Sequence, residues 1–199
     1  TMYDGDQTVE LGFNQFPNMP LVADSGSGTG PGAGTYRYFA VYQWYDAQGN
    51  LHQSAPSPAG SVTMLTSNAI QVYVNYLYLT QKTNASSPVQ VILYRTTDDG
   101  SIPYRITGIL QPDVNSPLSG YLSFVDSYDD ADITGNEIIY SNPLIAGSVV
   151  ENIAPPPAML MTIHNNRLYV VNSEDSSAWY SKTIQDGTGV SFSDLFAEA

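Results

Sequence analysis

The run Tyr36-Arg37-Tyr38-Phe39-Ala40-Val41-Tyr42-Gln43-Trp44-Tyr45-Asp46 narrows the possible folds more than any other feature of this chain. In a β-strand successive side chains alternate between faces, so Tyr36, Tyr38, Ala40, Tyr42 and Trp44 share one face. A helix would scatter the same residues around its axis. Tyrosine suits a pleated surface with one dry side and one wet side, and the chain holds 15 tyrosines. The turn Ala47-Gln48-Gly49-Asn50 ends the strand. Ser54-Ala55-Pro56-Ser57-Pro58 then interrupts regular pairing, because proline has no N–H for a ladder. Further strands are expected at Ser61–Leu65, through the alternating Ile70, Val72, Val74, Tyr76 and Tyr78, and at Val89–Thr97. Asp98-Asp99-Gly100 turns the last of these into a hairpin with Ile102–Ile109. Residues 112–120, with Pro112, Pro117 and Gly120, read as a loop before a strand at Tyr121–Asp126. This rhythm predicts an all-β chain with a core built from Tyr38, Ala40, Tyr42, Val72, Val74, Val91, Leu93 and Val125.

Three segments are expected. Residues 1–34 read as an extended arm followed by a glycine-rich linker. Pro17 and Pro20 push their predecessors away from helix, and Phe13, Phe16 and Met19 offer anchors for docking on a neighbour. Ser25–Gly34 has the composition of a flexible linker or long loop. Residues 35–153 form the main antiparallel sandwich. Ala154-Pro155-Pro156-Pro157 reads as a stiff joint. Residues 154–199 form a smaller unit whose strands are predicted at Met159–His164, Arg167–Asn172, Ser177–Lys182 and Val190–Phe192. Four short antiparallel strands in that length match one propeller blade. A lone blade leaves Val170, Val171, Trp179, Tyr180 and Phe192 in need of neighbours, so further chain beyond Ala199 or another subunit is expected to cover them.

The chemistry of the chain is restricted by what it lacks. Cysteine is absent, which excludes disulfides, thiolate metal sites and cysteine nucleophiles. The net charge is −13 and the six basic residues are scattered, so no basic stripe faces a phosphate backbone. No run is long and apolar enough for a membrane helix. The acidic segment Asp126-Ser127-Tyr128-Asp129-Asp130-Ala131-Asp132 offers oxygen ligands of the kind calcium takes, but lacks the spacing of an EF-hand; a solvated loop, with Asp126 capping a turn, is the simpler account. His52 and His164 lie outside any nucleophile motif. Asp98 and Asp99 read as turn residues. The glycines of residues 26–34 lack the Lys-Ser/Thr ending of a phosphate loop. No catalytic, cofactor-binding or metal residue is therefore assigned, and no cofactor is expected.

Two stretches resemble fibronectin type III modules. Tyr36, Tyr38, Ala40 and Tyr42, then Gly49 and Ser54–Pro58, are similar to the late strand and exit loop of such a module. Val91–Thr97, Tyr104 and Phe124-Val125-Asp126 are similar to its middle strands. Their order along the chain is reversed, which implies a permuted or related immunoglobulin-like sandwich. Glu151–Pro157, His164-Asn165-Asn166-Arg167-Leu168-Tyr169-Val170 and Trp179-Tyr180-Ser181 resemble the entry into a propeller blade. Over residues 35–199 the combination resembles tail proteins of short-tailed phages, of the nozzle or tubular class. That resemblance implies a non-enzymatic virion component. Its partners would be other tail proteins and further copies in a ring, with passive contact to translocating DNA. A carbohydrate-binding or adhesive module, which would display exposed aromatic rings on one face, is the alternative. A hydrolase would require a cleft joining His52 or His164 to a nucleophile.

Overall fold

A computed structural model describes residues 1–108, 113–139, 152–193 and 196–198. Ile109, Pro112 and Glu151, which the sequence reading placed in a strand, a loop and the interdomain segment, lie outside the described residues. The described chain is all-β apart from two short helical turns. Its strands are β1 (Met2–Tyr3), β2 (Thr8–Val9), β3 (Leu21–Asp24), β4 (Gly34–Tyr45), β5 (Leu51–Gln53), β6 (Gly60–Met64), β7 (Ile70–Asn75), β8 (Gln90–Thr96), β9 (Pro103–Arg105), β10 (Asp113–Val114) and β11 (Tyr121–Asp126). A helical turn, α1 (Asp130–Ile133), follows. The smaller unit contributes β12 (Ala158–His164), β13 (Arg167–Asn172), β14 (Ala178–Tyr180) and β15 (Ala197–Glu198).

The long strand β4 organises the larger sheet. One edge pairs with β8, in the register Tyr38↔Arg95 to Gln43↔Gln90. Its other edge pairs first with β6 and then with β5. Between those two partners runs the Ser54–Pro58 break, where serines replace the missing ladder. Ser54 Oγ accepts from the Tyr42 N–H at 3.0 Å and Ser57 Oγ from the Ala40 N–H at 2.9 Å. The Ser54 and Ser57 N–H groups in turn donate to the Tyr42 and Ala40 carbonyls. A proline-bearing segment thus continues the sheet without leaving buried backbone groups unpaired.

A second sheet, in the order β11-β7-β3, faces the first. The core between them holds Tyr38, Ala40, Tyr42 and Trp44 of β4, Val91 and Leu93 of β8, Val72 and Val74 of β7, and Leu122 of β11. All but one of the predicted core residues lie there. The exception is Val125, which is 54% exposed. Its neighbours Leu122, Phe124 and Asp126 occupy the inward parity, opposite Val74, Val72 and Ile70. A carboxylate takes the inward site because Arg95 and Tyr38 reach it from the opposite sheet.

The first 34 residues are part of this body. β3 pairs with β7 from Leu21↔Tyr73 to Asp24↔Ile70. Val9 and Phe13 are buried in the core, whereas Phe16 and Met19 stay exposed. Lys82, only 2% exposed, fastens the segment: its Nζ lies 3.0 Å from Glu10 Oε1 and donates to the Glu10 and Gly12 carbonyls. The ammonium also sits over the Phe13 and Trp44 rings. The glycine-rich stretch is a packed loop joining the two sheets. Gly30 is pressed so closely on Asn68 and Ala69 that a Cβ there would collide with the Asn68 carbonyl, and Ser67 Oγ donates to the Gly30 carbonyl. Glycine here permits close backbone approach, which its composition alone does not distinguish from linker flexibility.

The smaller unit is one antiparallel sheet in the order β12-β13-β14-β15. The fourth strand is Ala197–Glu198, paired with Trp179 and Ala178, and not the predicted Val190–Phe192. Phe192 is fully buried and its backbone exchanges hydrogen bonds with Ile153, which draws that segment away from the sheet edge. The unit meets the sandwich along β5: Leu51 N–H donates to Gly187 O at 2.8 Å and Gly189 N–H to Leu51 O at 2.7 Å.

Candidate functional site

The acidic segment has its carboxylates engaged. Asp126 is fully buried and lies 3.2 Å from Arg95 Nη1, and its Oδ2 accepts from the Tyr38 hydroxyl at 2.7 Å. Asp130 takes Arg95 Nη2 at 3.0 Å and the Asp98 N–H at 2.9 Å. Asp129 and Asp132 form the reciprocal capping box that starts α1. The Arg95 guanidinium donates also to the Tyr128 carbonyl and lies over the Tyr36 ring. Burial raises the Asp126 pKa, and Arg95 and Tyr38 oppose that shift. The segment is therefore an internal clamp between the two sheets. Among the described residues no group of three or more acidic or histidine side chains is arranged to hold a metal ion.

Sequence reading places Asp126 in the acidic segment and does not single out Arg95, yet strand parity carries the signal of their pairing. Arg95 shares parity with Val91 and Leu93, and Asp126 with Leu122 and Phe124, so two charges of opposite sign both face inward. Asp98 and Asp99 serve the turn: Asp98 Oδ1 accepts from the Thr35 N–H at 2.8 Å, and Asp99 has a left-handed φ of 47°.

The two histidines are far from equivalent. His164 flanks a hairpin turn and is exposed. His52 is 4% exposed, with Nε2 at 3.1 Å from Asp46 Oδ2 and its ring against Trp44. On the Nδ1 side it meets Gly189, where a Cβ would overlap the ring. Both ring nitrogens are thus enclosed, and the pair locks the junction between the two units. Burial lowers the His52 pKa, with Asp46 opposing. Burial works against the Asp46 carboxylate too, but hydrogen bonds from Asn50, His52 and Gln48 together hold its pKa below the ordinary value. A histidine kept neutral by the fold contributes stability above its unfolded pKa, near 6.5, which is lost as pH falls through the folded one. The wild-type chain should therefore lose thermal stability as the pH falls below about 6.5, and His52→Gln should flatten that slope. Melting curves at a series of pH values measure this; an unchanged slope in the variant would assign it to other groups.

Two exposed surfaces remain. The first is β12, all seven residues of which are exposed; Met159, Leu160, Met161 and Ile163 are each at least 61% exposed. Of the residues expected to need cover, Val170 and Phe192 are buried within the chain, while Val171, Trp179 and Tyr180 are half-buried. Uncovered apolar surface of this kind makes β12 a candidate interaction site. The second surface is the outer face of the β11-β7-β3 sheet, where Tyr73 and Tyr121 meet edge to face with ring centroids 5.5 Å apart and planes at 80°. Tyr78 is exposed nearby, and its hydroxyl donates to the Gly120 carbonyl. A cleft of about 200 Å³ lies between Phe13, Phe16, Ala55 and residues 152–154. That volume is below the range typical of small-molecule sites.

Comparison with protein-family models, with curated proteins and with solved structures returns no match.

Proposed function

We propose that this chain is a non-enzymatic structural component of a phage tail that works by holding neighbouring proteins in register. In this reading the larger body is an immunoglobulin or fibronectin III-like sandwich and the smaller sheet is a propeller-type blade. The observation that carries it is β12, a strand without charged side chains that is exposed along its whole length. Burying such a strand against another protein removes apolar surface from water, a favourable step that requires no ligand and no chemistry. The motifs at residues 36–58, 91–126 and 164–181 add the resemblance to short-tailed phage tail proteins. The net charge of −13 fits a surface that repels nucleic acid where it passes. Partners are other tail proteins, and the location is the virion. Mass spectrometry of purified particles of the encoding virus should find the chain in fixed stoichiometry, and antibodies against it should label the tail. Particles that lack it and remain fully infectious would overturn the proposal.

The carbohydrate-binding alternative draws on Tyr73, Tyr121 and Tyr78, an exposed aromatic cluster on one sheet face. A sugar ring stacks on a flat aromatic surface, and the edge-to-face pair offers only one ring plane at a time. Glycan-array binding abolished by Tyr73→Ala and Tyr121→Ala would favour this reading over the first.

A further inference from the structure

We infer that the junction between the two units is a hinge operated by acid: protonation of His52 releases the segment 187–189 from β5 and frees the smaller sheet, while the sandwich stays folded. The argument begins with how the junction is held. Among the described residues, two backbone hydrogen bonds join β5 to this segment, Leu51 N–H to Gly187 O at 2.8 Å and Gly189 N–H to Leu51 O at 2.7 Å. Leu51 and Thr188 meet there as an isolated parallel bridge. So short a pairing opens at far lower cost than the continuous ladder between β4 and β8.

His52 follows Leu51 on β5, and its ring is the surface on which the segment closes. From the sandwich side Trp44 lies against it, with ring centroids 5.0 Å apart. From the other unit Gly189 packs so closely on the ring that a Cβ would overlap it. Nε2 is 3.1 Å from Asp46 Oδ2, and an ionised carboxylate only accepts, so the neutral ring carries its proton on Nε2. The residue is 4% exposed. An imidazolium in the closed junction therefore forgoes most of its hydration. Trp44 and Asp46 belong to β4 and the turn after it, which are fixed by the sheet. Gly189 is the cover that can lift without unfolding the sandwich, and lifting it brings water to the ring.

The charges around His52 are set by the sandwich. Asp46, from the turn after β4, and Asp4, from the N-terminal turn, favour a charged ring. Lys82, which is held by Glu10, opposes it. Residues 187–189 bring no charged side chain. Burial outweighs the two carboxylates and holds the His52 pKa below its ordinary value. Opening returns the ring toward that ordinary value, near 6.5, so the open junction binds the proton more readily and a falling pH populates it. One such group can raise the open population by up to about tenfold for each unit of pH below about 6.5. Because β12 is part of the smaller sheet, opening lets its exposed surface turn relative to the sandwich. The inference rests on the junction alone and does not depend on the phage reading.

Amide hydrogen exchange of the full chain tests it, since Leu51 and Gly189 donate the two junction bonds and report directly on opening. Corrected for the intrinsic exchange rate, their protection should fall by at least about tenfold between about pH 7.5 and about pH 5. At both pH values it should remain well below that of the β8 amides, the mark of local opening. His52→Gln should hold the protection of Leu51 and Gly189 level across the same range. Gly189→Ala, which forces a methyl group against the ring, should leave the Leu51 amide as weakly protected at neutral pH as it is in acid in the unmodified chain. Junction amides whose protection does not change with pH, or which match the β8 amides at low pH, would overturn the inference. So would an undiminished pH dependence in His52→Gln, or full protection of Leu51 in Gly189→Ala.

Discussion

Replacing Arg95 by alanine should destabilise the fold by about 3–5 kcal/mol at neutral pH, because it strands a buried carboxylate. Asp126 is fully buried and its charge is compensated from the opposite sheet by Arg95, while the Tyr38 hydroxyl donates a hydrogen bond to it. Burial already holds the Asp126 pKa above the ordinary aspartate value, with Arg95 the main opposing influence. Such a raised acid contributes stability that is fully present below its unfolded pKa and lost as pH rises through the folded one. Without Arg95 the shift grows, so the penalty should be largest at neutral pH and should shrink as the solution is acidified toward about pH 4. Adding Asp126→Asn to Arg95→Met should recover much of the loss, since a neutral amide still accepts from Tyr38. Urea unfolding of the variants at both pH values measures each difference. A penalty that does not change with pH would show that Asp126 stays ionised without its partner.

Leu93→Ala should cost about 2–5 kcal/mol, the range for truncating a fully buried aliphatic side chain. Leu93 has no exposed surface, lies opposite Ala40 in the central pair of strands, and faces β7 across the core. Alanine on the neighbouring strand cannot expand into the space, so relaxation must come from Val72, Val74 or Tyr42. A loss below about 1 kcal/mol, a surface-like value, would contradict this placement of β8.

Much of this core was legible because β7 carries apolar side chains at period two and β4 carries Tyr36, Tyr38 and Tyr42 on one parity, whereas β8 is apolar and buried on both parities, its Ile92 and Tyr94 packing with Val41 in a second cluster. The same rule failed at Val125, where both parities of β11 contain apolar residues. The inward one ends in Asp126, which looks exposed until Arg95 is known to face it. The first 24 residues were misjudged for a related reason. Prolines 17 and 20 do indicate extended backbone, but extended backbone is equally an edge strand, and only the partner β7 distinguishes the two. The glycines of residues 26–34 look like a linker, yet Gly30 is glycine because Asn68 and Ala69 leave no room for a side chain.

The smaller unit was read well where a turn marks it and poorly where long-range contacts decide. Asn165-Asn166 located the first hairpin to the residue. Val190–Phe192 has strand composition, but Phe192 is captured by Ile153, 39 positions earlier in the sequence. The His52–Asp46 lock likewise depends on Gly189 arriving from the other unit, and no local motif announces it.

Amide hydrogen exchange tests the central claim, that this chain acts through a β edge made to be covered. In dilute monomer the amides of β4 and β8 should be strongly protected, while those of Met161 and Ile163 exchange almost freely. In an assembled tail these two amides, which alternate along β12 with the residues bonded to β13, should slow by at least about tenfold as they acquire hydrogen-bond acceptors. Strong protection of Met161 and Ile163 already present in a proven monomer, or no added protection on assembly, would contradict the account.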